Sequence, residues 1–179
     1  MLKTRILTAL VALPLAIAAI VWLPTGGLVT VVAALMLVGA WEWASMMGGD
    51  RGQRALFVAL LAIIISVLWA LAGPAFANSG GVLMIGPACA FWVVVIALLA
   101  RFPNAWAATL GQPVWATIAG CVVLAAPVAA LGYIHHLDHG AWFILILCFM
   151  IWAADTGAYI AGKTLGQRKL IPAVSPGKT

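Results

Sequence analysis

Residues Ala141–Ile160 read AWFILILCFMIWAADTGAYI, and their reading decides the fold. Fourteen residues of this run pass without a charge, and then a single carboxylate, Asp155, interrupts it. A helix crosses a hydrocarbon core of roughly 30 Å with about 20 apolar residues, the length of this run. Five further runs meet the same measure: Ile6–Leu23, Gly27–Met46, Ala55–Leu71, Val82–Ala100 and Ala116–Ile134. The segments between them hold helix breakers, among them Pro24-Thr25-Gly26, Gly48-Gly49-Asp50, Asn78-Ser79-Gly80-Gly81, Pro103-Asn104 and Gly140.

Composition supports the same solvent. Of 179 residues 66% are hydrophobic and only 7% charged, too few charges to clothe a soluble domain of this size. The expected fold is an all-α polytopic membrane protein of about six transmembrane helices over residues 1–160, followed by a basic cytoplasmic loop over 161–179. Lys3 and Arg5 precede the first run, Arg51 and Arg54 follow the second, Arg101 follows the fourth, and Lys163, Arg168, Lys169 and Lys178 follow the sixth. All nine basic residues thus fall on one side of a six-helix alternation. The positive-inside rule makes that side cytoplasmic, with both termini. The same rule accounts for the net charge of +5, and no basic stripe or zinc spacing points to nucleic acid. Lys3 and Arg5 before an apolar run resemble a signal peptide, but the run continues through Leu23, long enough to stay as an anchor. Cys89, Cys121 and Cys148 lie in apolar runs and read as small buried hydrophobes.

Ionisable groups inside such helices are the informative exceptions, each costing on the order of 3 kcal/mol at mid-bilayer. Two acids qualify, Glu42 and Asp155, both toward the cytoplasmic ends of helices running inward. At helical spacing Asp155, Tyr159 and Lys163 share a face. Asp155 reads as a metal ligand in preference to a structural acid paired with Lys163. Glu42, between Trp41 and Trp43, reads as an interfacial carboxylate partnered by Arg51 or Arg54. The nine tryptophans mostly sit near the ends of the apolar runs, as interfacial anchors do. The tail from Lys163 to Thr179 offers ammonium, guanidinium, hydroxyl and backbone donors suited to phosphate. Residues 157–164, GAYIAGKT, match a phosphate-binding loop letter for letter, yet they begin inside a membrane helix with no strand before them, so the match is fortuitous. His135, His136, Asp138 and His139 cluster in an outward segment that reads as an exposed polar connector.

Asp155-Thr156-Gly157-Ala158-Tyr159, then Gly162-Lys163, then Ser175-Pro176-Gly177-Lys178-Thr179 resemble the phosphatidate cytidylyltransferase family, the bacterial CDP-diacylglycerol synthases. Met1-Leu2-Lys3, Arg5, Pro14 and Trp41-Glu42-Trp43 agree with it. The resemblance implies a magnesium-dependent reaction of CTP with phosphatidate that yields CDP-diacylglycerol and pyrophosphate at the bacterial cytoplasmic membrane. It makes Asp155 and Lys178 the catalytic candidates and Asp155 and Ser175 the metal ligands. Ser175, Thr179, Lys163 and Tyr159 become candidates for substrate binding. The family continues past this motif with more helices and a second acidic signature. The 179 residues are therefore expected to be an N-terminal portion with little activity in isolation. The expected partners are CTP, phosphatidate, the lipid bilayer and a second copy of the chain in a homodimer. The alternative function is a small transporter or channel using Asp155 and Glu42.

Overall fold

The computed structural model describes residues 2–75, 80–99 and 112–166, with side chains over 10–71, 86–98 and 112–166. Six α-helices and no strands occur among these residues: α1 (Leu2–Trp22), α2 (Thr25–Met46), α3 (Arg51–Ala75), α4 (Gly80–Leu99), α5 (Pro113–His136) and α6 (Gly140–Leu165). Each corresponds to one of the six apolar runs. Thr25–Met46, Arg51–Leu71, Pro113–His136 and Gly140–Leu165 are long and apolar enough to cross a membrane. The apolar stretches Leu10–Trp22 and Gly86–Leu98 of α1 and α4 are shorter over the described side chains. Their helices still run 21 and 20 residues, about 30 Å at 1.5 Å per residue. The chain is an all-helical, multi-pass membrane protein.

The ends of the helices depart from the expected bounds for local reasons. The start of α3 takes in Arg51, Gly52, Gln53 and Arg54, because Asp50 caps it. Asp50 Oδ1 accepts the Gln53 N–H at 2.8 Å, and Gln53 Oε1 accepts the Asp50 N–H at 3.0 Å. This reciprocal pair satisfies two of the donors a helix N-terminus leaves open. The larger correction lies in α6, which continues five residues beyond Ile160 to Leu165. Residues 161–165, expected to open a loop, are helical. Thr164 donates its hydroxyl to Ile160 O at 2.9 Å, and Lys163 stands in the last turn, where the helix dipole favours a cation. The residues 157–164 resembling a phosphate loop therefore lie wholly inside a helix, so they cannot fold as one.

Helices α2, α3 and α5 pack into a central unit, with α4 against α3 and α5, and α6 against α5 and α1. Its core joins Val29, Ala40 and Ala44 of α2, Phe57, Leu61 and Ile65 of α3, and Ala125 and Val128 of α5. No polar or charged side chain is buried among the described residues. In lipid there is no water to expel between helices, so close approach of small residues supplies the packing energy. Ala40, Ala44, Ala119, Gly120 and Ala125 provide it here. Trp43 uses the space that Gly120 leaves. Its indole Nε1 donates to Ala116 O at 3.0 Å, and a Cβ added to Gly120 would stand 2.5 Å from that nitrogen and 2.9 Å from Phe57 Cζ. Trp43 is thus a wedge between helices, where the sequence suggested an interfacial anchor.

A second cluster, Ile20, Leu28 and Ile144, gathers α1, α2 and α6 near the start of α2. Gly140 closes the α5–α6 corner there, in space where a Cβ would collide with the backbone of Ile134 and His135. His139 precedes it in the left-handed region at φ 61°.

Gly120→Ala should lower the unfolding free energy of the detergent-solubilised protein by about 1–3 kcal/mol, as overpacking does. Gly86→Ala is the control: its new Cβ meets nothing within 4 Å, and helix propensity should make it neutral or up to about 1 kcal/mol more stable. Chemical denaturation followed by tryptophan fluorescence separates the two outcomes.

Candidate functional site

Asp155 owes its position to α6. Counting from Gly140, the carboxylate stands about 22 Å along a helix of 26 residues and about 39 Å. Ile144, 2% exposed, is the anchor of α6, and Gly140 is its one other buried residue. Asp155 follows Ile144 by eleven residues, which is three turns and about 20° of rotation. The acid therefore projects from the side of α6 that faces the bundle at the other end. At its own level the bundle has fallen away. Every residue from 149 to 161 is exposed, and a Cβ on Gly157 would meet nothing within 4 Å. Asp155 forms no ion pair with Lys163.

Lys163 is turned elsewhere. Its Nζ lies 5.0 Å from the centroid of the Tyr159 ring, one turn back. A cation over an aromatic face at an exposed site gains about 0.5–1 kcal/mol, weak enough for a phosphate to displace. The shared face of Tyr159 and Lys163 expected from spacing is thus realised, and among the described residues no cation pairs with the Asp155 carboxylate. Ser175, Lys178 and Thr179 lie outside the described residues. Among the described residues, no three His, Cys, Asp or Glu side chains gather into a cluster that could hold a metal ion.

Glu42 stands on α2 about 26 Å from Thr25, a depth close to that of Asp155. It is exposed, and the expected pairing with Arg51 or Arg54 is not formed among the described residues. Arg54 instead donates from Nε to Gly49 O at 2.8 Å and lies 5.8 Å from the centroid of the Trp41 ring. The α2–α3 turn is held by that guanidinium, by the Asp50–Gln53 pair and by Gly48 at φ 79°. Trp41 packs on the turn and Trp43 enters the core, so the residue between them is left facing outward.

His135 is also placed differently from the exposed connector suggested by its neighbours. It belongs to the last turn of α5, is half-buried, and bonds to Thr25 and to Ile20 O. The signal for this contact was present four residues after Ile20, where Pro24 offers no N–H.

Residues 3–179 match the cytidylyltransferase family. The phosphatidate cytidylyltransferase of Pseudomonas aeruginosa is 33% identical over 181 residues, covering 100% of this chain and 64% of that protein. That of Haemophilus influenzae is 27% identical over 191 residues, covering 100% of this chain and 66% of its own length. A 47-residue stretch is 51% identical to the Bacillus subtilis phosphatidate cytidylyltransferase, covering 26% of this chain and 18% of that protein. The chain thus spans just under two thirds of the first two relatives' length. No solved structure matches.

Asp50→Ala should destabilise the start of α3 by about 1 kcal/mol through loss of the cap. Amide hydrogen exchange should quicken at Gln53 and Arg54 and stay unchanged in the core at Leu61; uniform exchange across α3 would contradict the capping role.

Proposed function

Because the chain belongs to the cytidylyltransferase family, we propose that it carries a membrane-embedded part of a CTP:phosphatidate cytidylyltransferase, a magnesium-dependent nucleotidyltransferase forming CDP-diacylglycerol for phospholipid synthesis. The observation that carries the reading is the exposed Asp155 on the C-terminal half of α6, without a charged partner among the described residues, two turns before a lysine resting on a tyrosine ring. The relatives named phosphatidate cytidylyltransferase align along the whole chain and supply the substrate class.

In this reading the basic side of the bundle faces the cytoplasm of a bacterium, and the inner half of α6 lies in the inner leaflet. A lipid phosphate reaches that depth from the membrane and the nucleotide arrives from the cytosol. Two polyanions must then approach each other, so the site has to neutralise them. Asp155 fits as one carboxylate ligand of Mg2+, which takes one or two carboxylates and completes its shell with phosphate oxygens and water. When bound, the ion would offset charge developing at the α-phosphate of the transferred cytidylyl group and on the departing pyrophosphate. Lys163, released from Tyr159, would contact phosphate as a point charge. Lys178, Ser175 and Thr179 complete the proposed set, with Ser175 a second metal ligand. The apolar core speaks against a translocation path using Asp155 and Glu42, since polar groups along several helices would be needed.

The test uses the full-length natural protein in phosphatidate-containing vesicles with CTP and Mg2+. Asp155→Asn should lower CDP-diacylglycerol formation by at least about a hundredfold while leaving the melting temperature close to wild type. Retained turnover would defeat the proposal. The 179-residue chain alone should turn over little or no substrate. With the three native cysteines replaced by alanine, Asp155→Cys should react with a membrane-impermeant maleimide from the cytoplasmic side; reaction from the outside alone would invert the topology.

A further inference from the structure

At the end of the bundle remote from Asp155, the C-terminal turns of α1 and α5 meet the first turns of α2 and α6. The hydrogen-bond ladder of α1 closes with Leu23 N donating to Ala19 O at 3.2 Å. The next rung would run from residue 24 to Ile20 O. Residue 24 is proline, which has no N–H, so the Ile20 carbonyl has lost its intrahelical donor. Helix α2 begins immediately afterwards, with Leu28 N donating to Pro24 O at 3.0 Å, so no other residue of the corner takes up the vacancy.

His135 stands 3.0 Å away through Nε2, while its Nδ1 is 2.9 Å from Thr25 Oγ1. A carbonyl oxygen only accepts, so Nε2 must carry a proton. The neutral ring then has its lone pair on Nδ1, and the Thr25 hydroxyl donates to it. Both ring nitrogens are satisfied by groups from two other helices, 115 and 110 residues away in sequence. We propose that His135 is a fixed-tautomer clasp that supplies the hydrogen bond Pro24 withholds from Ile20, joining α1 and α2 to α5 at one point.

The clasp acts on more than one carbonyl. Ile20 also sends its side chain into the cluster with Leu28 and Ile144. Pinning its backbone therefore seats α1 against the anchor residue of α6. Ile20 is buried, so leaving its carbonyl without a donor is costly, and without the imidazole α1 must shift or unwind its last turn. Half-buried Cys148, packed against the same cluster, is a native reporter of that shift.

Two measurements on the intact chain in detergent decide the matter. In the 15N spectrum of histidine-labelled wild-type protein at alkaline pH, His135 should show a protonated Nε2 and an unprotonated Nδ1. The reverse tautomer overturns the proposal, since it would set a lone pair against Ile20 O. Maleimide labelling of Cys148, read from its peptide by mass spectrometry, should run several-fold faster in His135→Phe, which keeps the ring and removes both nitrogens. His135→Gln, able to donate to Ile20 O and accept from Thr25, should return the rate toward wild type. Wild-type labelling in His135→Phe overturns the proposal equally, and if that variant does not fold, the wild-type tautomer alone decides. Neither readout involves turnover, so the outcome is independent of the enzymatic reading.

Discussion

Inside hydrocarbon a peptide group has no solvent partner, and each one left unpaired costs several kcal/mol. This constraint explains the helices themselves and also the points where helices fail. Pro14, Pro87 and Pro127 interrupt the ladders of α1, α4 and α5 from within. Pro24 does so at a corner, where the ladder cannot recover further along. The α1–α2 corner, the α2–α3 turn and the α5–α6 corner each resolve the shortage differently: with an imidazole, with a capping pair and guanidinium, and with a glycine tight against the preceding helix end.

The packing follows from the same solvent. Lipid tails give no advantage to burying one apolar side chain against another, so shape has to do what hydrophobicity does in water. Ala40 and Ala44 on α2 and Gly120 on α5 bring backbones close, and Trp43 fills the remaining gap with both its ring and its one donor. The wide apolar surfaces of α4 and α6, with Trp92, Ile96, Phe149 and Trp152 each at least half exposed, are ordinary for chains bathed in lipid.

The helices were legible because a span is a matter of length and hydropathy, and six runs announce themselves. Element ends were less so. Gly162 and Lys163 look like a loop in composition, yet the stretch stays helical because one hydroxyl bond and a terminal cation suit its last turn. Of the candidate site, the sequence carried the Tyr159–Lys163 neighbourhood, since spacing of four fixes it. The Asp155–Lys163 pairing was equally allowed by spacing and lost to the aromatic ring. The role of His135 was hidden because it depends on a partner more than a hundred residues away. A missing N–H at Pro24 marks where a donor is needed without saying which residue provides it.

Helix α6 is gripped near its N-terminal end and exposed along its C-terminal half, which makes it a lever with its fulcrum at Ile144. The acid rides about 16 Å from that fulcrum, so each degree of swing moves the carboxylate by roughly 0.3 Å. The apolar run Ala141–Ile160 is about 30 Å long, which matches a hydrocarbon slab of roughly 30 Å, and the five residues beyond it carry α6 to about 39 Å. A tilt of α6 about Ile144 therefore changes how deeply Asp155 is immersed, because the acid lies on the free side of the pivot.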